Sequence, residues 1–164
     1  MAITIEQIKA DKKFDAWLYG GFRDLDEPVI KLIYNLYSSG IKTILSCSGH
    51  IGSFIQSSEK SAIKEHYAFD CGRLYYEDSP ESEPLEEKLR SIVRNHNFAR
   101  LETDKDYPEF ILDMEDIAIP CDIRGKGELQ VPIKKAKARY NDFLKIWADL
   151  TKWSEKRNSQ RRPM

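Results

Sequence analysis

Apolar positions recur at helical spacing in two clear stretches of this chain, and in a third that is longer. Val29, Leu32, Ile33, Leu36 and Tyr37 fall on one face and predict a helix. Asp26 can cap it, Glu27 and Pro28 suit its first turn, and Ser38-Ser39-Gly40 stops it. Leu85, Leu89, Ile92 and Val93 predict a second helix over 84–97. Beyond Pro132, Ala136, Tyr140, Phe143, Leu144, Trp147 and Leu150 form the stripe of a long final helix. At the other end, Thr4 and Gln7 fit a capping box, so a helix starts at Ile5. Phe14, Trp17 and Leu18 anchor it, and Gly20-Gly21 ends it.

Between the helices the apolar runs are short and partly β-branched. Residues 41–45 read as a buried strand. Residues 67–77 read as a strand pair, or as one strand interrupted at Gly72. Further strands are expected at 99–103, 109–114, 117–123 and 128–133, with Arg124-Gly125-Lys126-Gly127 as a hairpin turn between the last two. Residues 50–64 read as a serine-rich loop or short helix, and 79–83 as a polar turn. Residues 155–164 are basic and polar, and read as a flexible tail behind a domain spanning 1–154. The element order gives an α+β fold, a mixed β-sheet packed by helices in a single domain.

Composition narrows the class. The 164 residues are 41% hydrophobic and 32% charged, which is globular rather than disordered. With 26 basic against 27 acidic residues, any affinity for nucleic acid would have to be local. Three cysteines, an odd number, argue against a secreted disulfide framework. No apolar run spans a bilayer and the N-terminal residues lack a secretory pattern, so a cytoplasmic location without membrane contact is expected.

The candidate chemistry lies at the exit of the first strand. Ser46-Cys47-Ser48-Gly49-His50 packs two hydroxyls, a thiol, a glycine and an imidazole into five residues. Gly49 allows a tight turn whose amides, with Ser46 and Ser48, could bind an anion. Cys47 could act as a nucleophile with His50 as its base. Cys47 and His50, with His66 and Cys71, also have zinc-ligand character. The plain alternative is a small buried cysteine closing a strand ahead of an ordinary turn. Elsewhere, His96 suits a helix C-terminus, and Asp113, Glu115 and Asp116 are either a cation site or a solvated edge. Tyr67, Phe69, Tyr75 and Tyr76 could stack on bases or fill a core. Arg157, Arg161 and Arg162 could touch phosphates.

Asp26-Glu27, the helix from Pro28, Thr43 and then Ser46-Cys47-Ser48-Gly49-His50-Ile51 resemble the N-terminal part of a tRNA wybutosine-synthesis methyltransferase family. That family has a Ser-Cys-Ser-Gly-Arg-Ile turn after an acidic turn, an amphipathic helix and a threonine-bearing strand. The likeness covers under a fifth of the chain. His50 replaces the family's arginine and cannot copy its bidentate phosphate clamp. Ser-Cys-x-Gly-His is also similar to small prokaryotic and viral proteins. The resemblance implies a shared fold and, if it extends to activity, S-adenosylmethionine as cofactor and RNA as partner. Ser46, Ser48 and Gly49 would then shape the ligand pocket, with Cys47 and His50 as the catalytic candidates. The alternatives are a zinc-binding domain and a non-catalytic interaction or regulatory domain that uses the last helix, where Trp147 and Trp153 could anchor a partner.

Overall fold

The computed structural model describes residues 3–18, 26–55, 66–117, 119–121 and 128–161, with backbone alone at 45, 50–55, 66–70, 119–121, 128–133 and 161. Within them the chain is α+β, as its pattern predicts. Two short helices, α1 (Ile5–Lys9) and α2 (Lys12–Trp17), precede α3 (Glu27–Ser38). Four strands follow: β1 (Thr43–Cys47), β2 (His50–Ile55), β3 (His66–Asp70) and β4 (Gly72–Tyr76). Next come α4 (Glu83–Asn95), β5 (Ala99–Glu102), β6 (Glu109–Leu112), β7 (Ile119–Cys121) and β8 (Glu128–Pro132). The last element is α5 (Ile133–Arg161).

Among the described residues the strands form two four-stranded arrays in the orders β1-β4-β6-β5 and β2-β3-β8-β7, and every pairing is antiparallel, in place of the single mixed sheet expected, because the strands meet through ribbon and hairpin connections that reverse the chain. In the first array Leu74, Tyr76, Phe110 and Leu112 are buried and meet Leu32, Leu36, Leu89, Phe143 and Trp147 from the helices. Strand alternation turns Arg73, Tyr75 and Arg100 to the opposite face. Trp147, at the midpoint of α5, is fully buried and stands edge-on to Phe110 with ring centroids 6.0 Å apart. Such edge-on pairs suit the aromatic quadrupole.

Four local expectations change. The helix expected from Ile5 to Gly20-Gly21 breaks at Asp11, whose carboxylate accepts the Lys13 and Phe14 amides at 3.1 Å each and so caps a new helix. Gly20-Gly21 and Arg124–Gly127 lie outside the described residues. Residues 50–55 form a strand rather than a loop, because β3 supplies a ladder that local sequence does not encode. The first strand sits two residues later than its apolar run and includes Ser46 and Cys47.

The fourth concerns the tail expected at 155–164. Helix α5 instead continues to Arg161. Its polar residues are tied to α3: Asn35 Nδ2 donates to Ser154 Oγ at 2.9 Å, and Asn158 Nδ2 donates to the Asn35 carbonyl at 3.1 Å. Ser39 Oγ lies 3.0 Å from Asn158 Oδ1. Deleting residues 155–164 should therefore cost about 2 kcal/mol, from two hydrogen bonds at about 1 kcal/mol each. Urea unfolding checks this, and an unchanged midpoint would mean that these turns contribute nothing.

Candidate functional site

Strands β1 and β2 are two halves of one side of a ribbon, and β4 and β3 are the other side. Cys47 pairs with Arg73, and three residues on, His50 pairs with Asp70, three residues back. The register thus carries across the corner, setting Ser48 and Gly49 opposite Gly72 and Cys71. It slips between Ile44 and Cys47 and again between Ile51 and Phe54, so a bulge flanks the corner on each side. Bulges bend a ribbon and increase its twist. Gly49 has φ +93°, a conformation that a side chain would strain. Gly72 serves a different need: a Cβ there would lie 3.0 Å from the Ser48 carbonyl oxygen and 3.1 Å from Trp147 Cζ2.

Ser48 is 1% exposed, and all its polar groups are engaged. Its amide donates to Asp26 Oδ2 at 2.9 Å and its hydroxyl donates to the same oxygen at 3.2 Å. Its carbonyl accepts the Trp147 indole N–H at 2.9 Å. Asp26 makes no side-chain cap to α3; its carbonyl accepts the Val29 amide instead. The expected capping carboxylate is therefore turned to the ribbon corner. A carboxylate accepting a backbone amide forms one of the stronger hydrogen-bond types.

The other candidates separate around this point. Ser46 is half-buried, with Oγ 3.4 Å from the Ile44 carbonyl. Cys47 is half-buried, and its Sγ accepts the Gly49 amide at 3.4 Å. His50 opens β2 and His66 opens β3, where it pairs with Ile55. His66 is four residues along β3 from Asp70, the partner of His50, roughly 13 Å for extended backbone. That spacing does not gather Cys47, His50, His66 and Cys71 around one tetrahedral ion. Among the described residues there is no group of three or more metal-ligating side chains.

Asp113, Glu115 and Asp116 are ion-pair partners. Arg100 lies 3.5 Å from Asp113 and 3.9 Å from Glu115. Arg139 grips Asp116 with two bonds of 2.6 and 2.8 Å, which holds that carboxyl below its usual range. His96 is the C-cap of α4, its ring 5.1 Å from that of Phe98. Tyr76 is core, and Tyr75 accepts a 3.2 Å hydrogen bond from Arg73. Tyr67 and Phe69 pair along the second array, opposite Phe54 and Ile51 respectively.

A polar network that residue-by-residue reading missed lies beside the corner. Glu109, 2% exposed, faces Arg73 at 2.6 Å and Lys105 at 3.2 Å. Lys105 also reaches Glu102 at 2.9 Å. A carboxylate this deep needs such partners, because an unpaired buried charge is costly. Burial pushes the Cys71 thiol above its usual range, with Arg73 opposing the shift. The alternation of Arg73 and Tyr75 with Leu74 and Tyr76 was the available signal for this polar face.

At the centre of the corner the amide, hydroxyl and carbonyl of Ser48 are all used within the protein. No protein-family model, curated protein or solved structure matches this chain. Trp147→Phe leaves the Ser48 carbonyl buried without its donor and should cost about 1–3 kcal/mol. Gly72→Ala forces a methyl against two fixed groups and should cost a similar 1–3 kcal/mol. Thermal melts with near-ultraviolet circular dichroism measure both losses.

Proposed function

We propose that this chain is a non-catalytic binding domain, in which the Ser46–His50 corner is a structural lock and the outward face of α5 is the recognition surface. One observation carries this reading: the amide, hydroxyl and carbonyl of Ser48 are all occupied by Asp26 and Trp147. A turn that must bind an incoming anion needs free donors. Helix α5, in contrast, borders open concave surface. One groove, of about 630 Å³, lies between its Leu144, Ala148 and Thr151 and Ile5, Pro28 and Lys31 of α1 and α3. Trp153 is partly exposed on the same helix. A cytoplasmic setting suits a chain with an odd number of cysteines. Among the described residues no helix is long and apolar enough to cross a membrane.

A second reading follows the family resemblance: a tRNA-modification protein, methyltransferase-like, with S-adenosylmethionine as cofactor and RNA as partner. It is favoured by the contact of Asp26 with Ser48, which brings the acidic turn and the Ser-Cys-Ser-Gly turn of the shared pattern together. Ser46 and Cys47, both partly exposed, are its remaining reactive groups beside His50. Titration calorimetry with S-adenosylmethionine and tRNA separates the two readings. The binding-domain reading expects no S-adenosylmethionine heat. Heat that disappears in Cys47→Ala or His50→Ala would overturn it in favour of the enzyme.

A further inference from the structure

Helices α4 and α5 are tied by Lys88 and Asp149, 3.1 Å apart, and enclose a groove of about 420 Å³ on their outer side. Ser91 and Arg94 of α4 line one wall, Trp153 and Arg157 of α5 the other, and Glu87 is the acid among the lining residues. The charge balance is uneven. Lys88 is matched by Asp149, whereas Arg94 and Arg157 have no acidic partner among the described residues. Arg157 is also held in place: its guanidinium lies 5.8 Å from the centre of the Trp153 ring, and its Nε is buried with no hydrogen-bond partner.

We infer that this groove is a nucleotide site, in which Arg94 and Arg157 clamp the phosphates and the Trp153 indole is the flat wall for the base. Guanidinium forks match phosphate oxygens in geometry and charge. Aromatic faces stack on any base, and the groove's volume suits a small ligand. Ser91 adds a hydroxyl on the α4 wall. The assignment rests on the binding-domain reading and gives it a ligand class.

Calorimetry of the full chain with ADP, pyrophosphate, adenosine and a single-stranded RNA oligonucleotide tests it. ADP is expected to bind more tightly than pyrophosphate or adenosine. Arg94→Gln and Arg157→Gln should each weaken ADP about tenfold, the size expected for one charged hydrogen bond. Trp153→Leu should remove the advantage of ADP over pyrophosphate. Arg94 is exposed, so Arg94→Gln remains informative if Arg157→Gln unfolds the chain. No heat with ADP at millimolar concentration, or equal affinity in Arg94→Gln, overturns the assignment. Binding of the oligonucleotide without ADP also overturns it. Heat with S-adenosylmethionine that survives Arg94→Gln and disappears in Cys47→Ala would overturn the binding-domain reading instead.

Discussion

A ribbon that bends between two sheet arrays must pair the backbone at its corner, and in this chain that task falls on Ser48. Its carbonyl and amide sit where water does not reach, and each unmade bond there would cost about 1–3 kcal/mol. The Asp26 carboxylate and the Trp147 indole meet that need from opposite parts of the sequence. Asp26 stands at the start of α3 and Trp147 at the midpoint of α5, so the same bonds fix both helices against the strands. Gly72 makes the approach possible, since any side chain there would push Trp147 and Ser48 apart.

The rest of the architecture follows from where that lock places its parts. With α3 and α5 held against one face of the first array, Leu74, Tyr76, Phe110 and Leu112 have a common core to fill. The opposite face carries Arg73, Tyr75 and Arg100, and the buried Glu109 is tolerated because Arg73 and Lys105 flank it. Only part of α5 is needed for the core. Its remaining surface borders the two grooves and carries Trp153 and Arg157, which is why function is sought there and not at the corner.

Much of the fold was legible in the chain because it depends on local chemistry. The stripes of α3 and α4 and the Thr4 capping box need only neighbours three or four residues away. The position of the Ser46–His50 turn was equally readable from the apolar run before it and from Gly49. Its role was not, because the residues that define it are 22 and 99 positions distant. The same holds for the helical end of α5. Composition alone marks residues 155–161 as loose, and the bonds from Asn158 and Ser154 to α3, over 119 positions or more, help to tie them down. Residues 50–55 were misread for a related reason, since a strand of weak propensity is set by its partner.

Native-state hydrogen exchange at the Ser48 amide probes the lock most directly. Should the corner be the keystone described here, that proton exchanges only when the whole domain opens, within about 1 kcal/mol of the global unfolding free energy. Exchange through a local opening several kcal/mol cheaper, with the α3 and α5 amides still protected, would contradict the account and return the turn to the list of mobile, ligand-accessible sites.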